Sequence, residues 1–437
     1  MNDLRIEFEW EDPRGAKGPE LRATWAQLSI SVDGKPVTRV WDKRSRSVRD
    51  YVYGPLYPLA EWIAAHWWAL YSEVEAPASG RNQSYRLRHD FAYARQGFVL
   101  PHMVLTPWGE ETLISWHAAD CPDVGVSFLE NGDVLVQSDM VRNACAQFVS
   151  AVCARLDTEK VRDTFLQNEW EAIQNCDAEE RAFCETAAAL GLDPFALDDR
   201  DRRRLVTAHR AIPHGLAGEF FAAVDFDSID DATNDLTSCI AQVRSATVRL
   251  PTLADLRAKF PPLDPAEPPW KRGYKFAGLL RSHLNVGDSV LHGCSGVAIA
   301  LGVDIKALQE AILLPKRPDG FMDALVGANQ QGRPVFVIGK HREDSRQFAL
   351  CRSLYEYLTA PEPDSMALIS KTRSDRQRAN RAFAAEFLVP AAILQQRLRD
   401  TVVDDEQIDD LANEFGVSCF VIRHQIENQN LATIRST

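Results

Sequence analysis

A chain of 437 residues has room for two to four domains, each able to bury a core of its own. Its composition is globular, with 45% hydrophobic, 25% charged and 9% aromatic residues, and no stretch approaches the ~18 apolar residues of a membrane span. A formal net charge of −13 argues against a non-specific polyanion binder, leaving only a local basic face to serve nucleic acid. Nine cysteines lie scattered without a C-x-x-C pair, and the charged start MNDLRIEFEW lacks an apolar signal core. These features predict a cytoplasmic protein with reduced thiols.

Eight of the ten tryptophans fall at or before Trp116, which sets the N-terminal part apart. Residues 23–40 alternate around Asp33-Gly34-Lys35 and read as a β-hairpin. Pro58 then opens a helix in which Leu59, Trp62, Ile63, His66, Trp67 and Leu70 share one face. Strands are expected within 97–115, a hairpin around Asn131-Gly132-Asp133, and a closing helix over 145–156. The spacing predicts an α+β domain over 1–156, in which Trp62, Trp67 and Trp68 either pack the core or, with Trp68 facing outward, offer a partner or ligand surface.

Residues 157–258 carry the helical period with few β-branched runs and read as a helical middle region. The segment 259–270, with five prolines in FPPLDPAEPPW, disfavours helix and reads as a linker. Beyond it, 271–437 reads as a mostly helical domain with a short sheet. A helix over 271–284 precedes a strand pair, 323–326 and 334–338, and helices follow over 342–358, 375–388, 391–397 and 406–429. Three stretches, ending at Gly191, Gly302 and Gly416, share Ala, a large apolar residue, Gly, an aliphatic, then Asp or Ser. That order predicts a glycine-capped helix end followed by an N-cap.

The chemistry-bearing stretch is RQFALCRSLYEYL, residues 346–358. A zinc protease helix of the H-E-x-x-H type needs two histidines four apart and a glutamate beside the first. Here those five positions read Arg352, Ser353, Leu354, Tyr355 and Glu356. An arginine is permanently cationic and repels a divalent metal.

With Arg346, Phe348 and Leu350 entering that helix, the segment ANRAFAAEFLVP at 379–390 and LANEFGVS at 411–418, the C-terminal part resembles the ImmA/IrrE family of bacterial metallopeptidases. The resemblance implies a zincin-like domain and carries a metal site onto this chain position by position. The first histidine falls on Arg352, the glutamate on Ser353 and the second histidine on Glu356. A further glutamate ligand falls on Arg376 or Arg378 by one count, and on Gln377 or Ala379 by the other. Neither histidine is present, the base is absent and none of the four candidates for the further ligand is a carboxylate, so no catalytic residue, metal or cofactor is expected and proteolysis is disfavoured.

Arg352 and Glu356 stand at i and i+4, where opposite charges attract. If Arg376 or Arg378 approaches, Glu356 would sit between two guanidiniums and an ion-pair network would replace the metal. The plainer reading is a solvated helix face, and a third has Arg352 and Arg376 binding an anion.

The 407–426 stretch also fits a helix-turn-helix template, with Ser418, Arg423 and His424 as candidate DNA contacts. The acidic run Asp404, Asp405, Glu406, Asp409 and Asp410 opposes it. The basic run 200–204 reads as a solvated mixed-charge helix, and Cys294 is a weak nucleophile candidate. The function expected is a catalytically inactive pseudo-peptidase that binds a protein partner, such as a repressor or neighbouring-gene product. The resemblance implies bacterial stress response, mobile-element control or antiphage defence. A DNA-binding regulator and a divergent metallo-endopeptidase are the alternatives, and no membrane association is expected.

Overall fold

The computed structural model describes residues 2–435 apart from 14, 76–81, 95, 252, 265, 319, 361, 363–364 and 399–400. The fold is α+β, and the chain divides into two compact units, Met1–Arg202 and Arg203–Thr437.

In the first unit, Leu4–Trp10 pairs antiparallel with Trp25–Val32 along its whole length. Its sequence alternates Leu4, Ile6, Phe8 and Trp10 inward with Arg5, Glu7 and Glu9 outward. This strand went unrecognised in the sequence although its apolar and charged residues alternate with the strand period. The hairpin at Asp33-Gly34 forms as expected, both residues holding positive φ (50° and 73°), the geometry a two-residue turn requires. The expected hairpin around Asn131-Gly132-Asp133 does not form. Val126–Phe128 joins Val40–Asp42 and Ala119–Cys121 in one sheet, whereas Gly132–Gln137 pairs with Glu111–His117 in another. Gly132 serves a close approach instead of a turn, since a Cβ there would overlap the Trp116 ring.

The expected tryptophan helix breaks at His66 into Tyr57–Ala65 and Trp67–Ser72. Trp62, Trp67 and Trp68 are 8%, 6% and 7% exposed. As a partner surface the three have little area to offer, and Trp68 does not face outward. Trp62 packs on Phe91 and Trp67 on Trp170, with ring centroids 5.5 and 5.0 Å apart. The closing helix runs longer than expected, over Ser138–Thr158.

The helical middle region is not a body of its own. Phe165–Asn175 and Ala178–Ala189 pack with the first unit, while His214–Ala223 and Ile229–Ser245 pack on the sheet of the second. Helical period marks an apolar face without saying which core it meets. The proline-rich stretch likewise joins no two bodies. It runs inside the second unit, and Pro269 begins the helix Pro269–His283 at its first turn. The prolines exclude helix over 261–264 but do not detach the chain; position 265 lies outside the described residues. The basic run 200–204 sits on the helix Asp199–Ala211, its Arg202 and Arg204 held by Asp199 and Asp230 at 3.5 and 2.7 Å.

The second unit is built on a four-stranded sheet ordered Ile312–Leu313, Pro334–Ile338, Met322–Ala328, Ala367–Ser370. The expected strand pair is its central hairpin, buried throughout. Helices Glu343–Thr359, Asp375–Leu388 and Ala391–Arg397 fall within a residue or two of expectation. The last expected helix is two, Asp405–Phe415 and Cys419–Asn428, turning at Gly416. There the Val417 N–H reaches Ala412 O at 3.0 Å, and the same six-to-one bond recurs from Val303 to Ala298 and from Leu192 to Ala187 at 3.0 Å. Each closes a helix end through a left-handed glycine. The stretch after Gly191 leads into turns, so that copy is no helix–helix corner.

Candidate functional site

The helix Glu343–Thr359 is buried on every side from Ala349 to Leu358. A helix apolar all round belongs in a core, so the polar trio Arg352, Ser353 and Glu356 within it must be satisfied internally. The helix Asp375–Leu388 packs alongside, capped by Ser374, and turns Gln377 and Asn380 inward at 0% exposure. An aromatic cluster of Phe276, Tyr355 and Phe383, with centroids 5.3–5.7 Å apart, holds the helices below the polar layer.

Arg352 is 3% exposed and donates four hydrogen bonds. Its Nε reaches Asn380 Oδ1 at 2.8 Å and its Nη1 reaches Asp323 Oδ2 at 2.8 Å. Its Nη2 reaches Ser370 O at 2.8 Å and Gln377 Oε1 at 2.6 Å. Asn380 relays onward, donating from Nδ2 to Glu356 Oε1 at 2.8 Å. Glu356 Oε2 in turn accepts from Arg376 at 3.0 Å. Asp323 takes a second cation, Lys340, at 2.8 Å. On the near side, Glu219 from the helix His214–Ala223 accepts from the hydroxyls of Ser370 and Thr372 at 3.2 and 2.6 Å and from Ser374.

The electrostatics follow this wiring. Burial pushes the Asp323 carboxyl up, but the charge of Arg352 and the contact with Lys340 outweigh it and hold the group below its ordinary range. Burial lowers Arg352 despite Asp323. Burial also opposes the Arg376 cation, yet Glu356 more than compensates and raises it.

The expected positions thus part ways. Arg352, Glu356 and Arg376 do meet, but Arg352 does not pair directly with Glu356; Asn380 stands between them, and the carboxylate on Arg352 is Asp323. Helix geometry explains this, because the i to i+4 order Arg-then-Glu is the weaker one and the strand offers a better-placed acid. Arg378 points away, paired with Asp375 at 3.2 Å and stacked over Trp270 at 4.7 Å. Ser353 closes on its own helix at Ala349 O, 2.8 Å. Asp323, Lys340 and Glu219 were missed in the sequence, Gln377 was named only as a lost ligand position, and Asn380 was noted only as part of a segment. The one available signal was that 352 lies among apolar residues and so requires a buried acceptor set.

The family resemblance implies zinc, and the residues do not fit it. The centre is a guanidinium, which has no lone pair to give. Gln377 and Asn380 supply amides, the carboxylates of Asp323 and Glu356 are already held by cations, and Glu219 is held by hydroxyls. No three His, Cys, Asp or Glu side chains among the described residues are placed to share a metal ion.

At the C-terminal corner, Ser418 is the N-cap of Cys419–Asn428. Arg423 is tied to Asp405 at 2.5 Å and His424 lies 3.4 Å from Glu427. Cys294 lies buried, and burial, with the neighbouring Glu343 charge second, pushes its thiol up to about 12, far from a nucleophile's range.

The first unit holds a polar cluster the sequence did not suggest. Glu73 accepts from Arg88 Nε at 2.7 Å and lies 3.2 Å from His89 Nε2, while Asp90 meets His102 at 2.8 Å. Its place under the helix Asn82–His89 pins that helix to the strand His102–Trp108.

No curated protein matches the chain. Its residues 313–427, spanning the hairpin, the Arg352 helix, the Asn380 helix and most of the terminal corner, match the family model of the IrrE N-terminal-like domain (Peptidase_M78), so the C-terminal part of the chain carries an ImmA/IrrE-like domain.

Proposed function

We propose that this domain keeps a peptidase frame whose metal position is taken by an internal ion-pair network, and that the chain works by binding a protein instead of cutting one. The observation that carries the reading is the Arg352 guanidinium, 3% exposed with four internal acceptors, at the position onto which the resemblance carries the first histidine. A catalytic zinc needs three protein ligands and an open fourth place, and a saturated cation at the centre denies both. The cysteines, all nine free thiols, support a cytoplasmic setting, and no helix among the described residues is long and apolar enough to cross a membrane.

Active relatives in the resembled family cut repressor proteins. The partner proposed here is such a repressor or the product of a neighbouring gene, in bacterial stress response, mobile-element control or antiphage defence. Metal analysis of the purified full chain is the first test. Sub-stoichiometric zinc is the expected result; about one zinc per chain, lost on Glu356→Ala, would overturn the reading. Co-purification with an uncut repressor then tests the binding role.

A further inference from the structure

His89 closes the helix Asn82–His89 and is fully buried, yet both of its ring nitrogens face acceptors. Nδ1 lies 2.7 Å from Leu105 O, on the strand His102–Trp108, and Nε2 lies 3.2 Å from Glu73 Oε2, just past the helix Trp67–Ser72. A neutral imidazole offers one donor and one lone pair, so whichever nitrogen lacked its proton would turn a lone pair on an oxygen. Glu73 does not supply the missing proton. Arg88 Nε donates to the same oxygen at 2.7 Å and Arg88 Nη2 takes the other, and a carboxyl that accepts a guanidinium fork is ionised. This geometry calls for His89 with both protons.

The helix depends on that ring. Apart from His89 and Tyr85, whose ring stacks on the imidazole at 3.8 Å, no described side chain of Asn82–His89 is buried, and Leu87 is 45% exposed. A helix with so little apolar face is held chiefly by its polar ties. It nevertheless lies across the tryptophan core, because Leu87 O takes the Trp62 indole N–H at 3.1 Å. The titratable and charged groups facing His89 are Glu73, Arg88 and Tyr85, with His66 within electrostatic reach. Asp90 and His102, the next pair along, are bonded to each other at 2.8 Å.

We propose that the helix Asn82–His89 is a pH-sensitive strap, fastened over Trp62 by the doubly protonated His89 and released when that ring loses a proton. Only the charged ring makes both bonds, so the fastening weakens as pH rises. Glu73, opposed by burial but held below its ordinary range by Arg88 and His89, stays charged throughout. Release frees the Trp62 indole from Leu87 and opens the aromatic face that the closed strap covers. The strap lies within the first unit and does not depend on whether the C-terminal domain is catalytically inactive.

Limited trypsin digestion of the full chain tests this, with mass spectrometry reading cleavage after Arg86 and Arg88 against cleavage after Arg46, in an exposed turn of the same unit. Between about pH 6.5 and about pH 8.5 the ratio is expected to rise at least about tenfold, the weight of one charge-assisted hydrogen bond, because cleavage tracks the open fraction. His89→Gln, whose amide does not titrate, should give a high ratio at every pH. If it fails to fold by circular dichroism, Glu73→Gln, which removes the charged acceptor, should do the same. His102→Gln should keep the pH dependence of the parent. Nitrogen-15 NMR of labelled histidine should find both His89 ring nitrogens protonated at the low end of the range. The proposal fails if His89 is a neutral tautomer there, if the parent's ratio is flat with pH, or if His102→Gln removes the dependence.

Discussion

A guanidinium that leaves water must recover its hydrogen bonds inside the protein, and Arg352 recovers four of its five from a strand, a strand end and a neighbouring helix. Removing it leaves Asp323 with Lys340 alone and takes a donor from each of the inward amides Gln377 and Asn380. Arg352→Ala is therefore expected to cost about 3–5 kcal/mol in denaturant unfolding, the range for breaking a buried ion pair. Arg376 makes a comparable ion pair with Glu356, but its side chain is 42% exposed. Arg376→Ala should cost less, about 1–3 kcal/mol, because Glu356, itself only 8% exposed, keeps its bond from Asn380. Equal losses from the two would show that Arg352 is no better integrated than a surface charge. At this scale the sequence offered 352, 356 and either 376 or 378 as candidate neighbours and left open which would meet; the structure brings Arg376 to Glu356 and Arg378 to Asp375. The sequence could not show Asp323 or Gln377, which arrive from elements 29 and 25 residues away.

Between elements, the tightest fit joins the helices Pro269–His283 and Asp375–Leu388 at Gly273. A Cβ there would collide with Ala379 O and come within 2.8 Å of Phe383 N, both backbone atoms that cannot swing aside. Gly273→Ala, which ordinarily favours a helix, should instead destabilise by about 1–3 kcal/mol, read as a lowered denaturant midpoint. A neutral or stabilising result would mean the helices do not approach so closely. This contact also explains why a helix outside the matched segment 313–427 is part of the same core. Helix boundaries were readable from period, and in the structure Ser374 and Asp404 cap two of them. The pairing of Gly132–Gln137 was not, because Asn-Gly is also a sound turn signal and only the position of Trp116 decides against it.

For the whole molecule, pH acts in two directions. Glu73 and Asp323 are opposed by burial but held below their ordinary range, Glu73 by Arg88 and His89 and Asp323 by Arg352 and Lys340. Their stabilisation is present above the unfolded carboxyl value and is lost as pH falls through the folded one. Glu386 is the reverse case, raised by burial from 4.5 to about 7 despite hydrogen bonds from Ala391 and Gln425. The folded state holds its proton more tightly than the unfolded chain does, so stability declines as pH rises from about 4.5 to about 7 and is flat above. Thermal midpoints of the parent and Glu386→Gln should diverge over that window, the variant gaining as pH rises; parallel curves would refute the assignment.

From sequence alone came the α+β class, the helices and central hairpin of the C-terminal part, and the ImmA/IrrE-like resemblance, since period, caps and short motifs are local. Tertiary structure decided the rest. It divided the helical middle between two cores, placed the tryptophans inside, and gave Arg352 its acid from a strand, because which apolar face meets which, and which acceptor meets a buried cation, depend on contacts between distant parts of the chain.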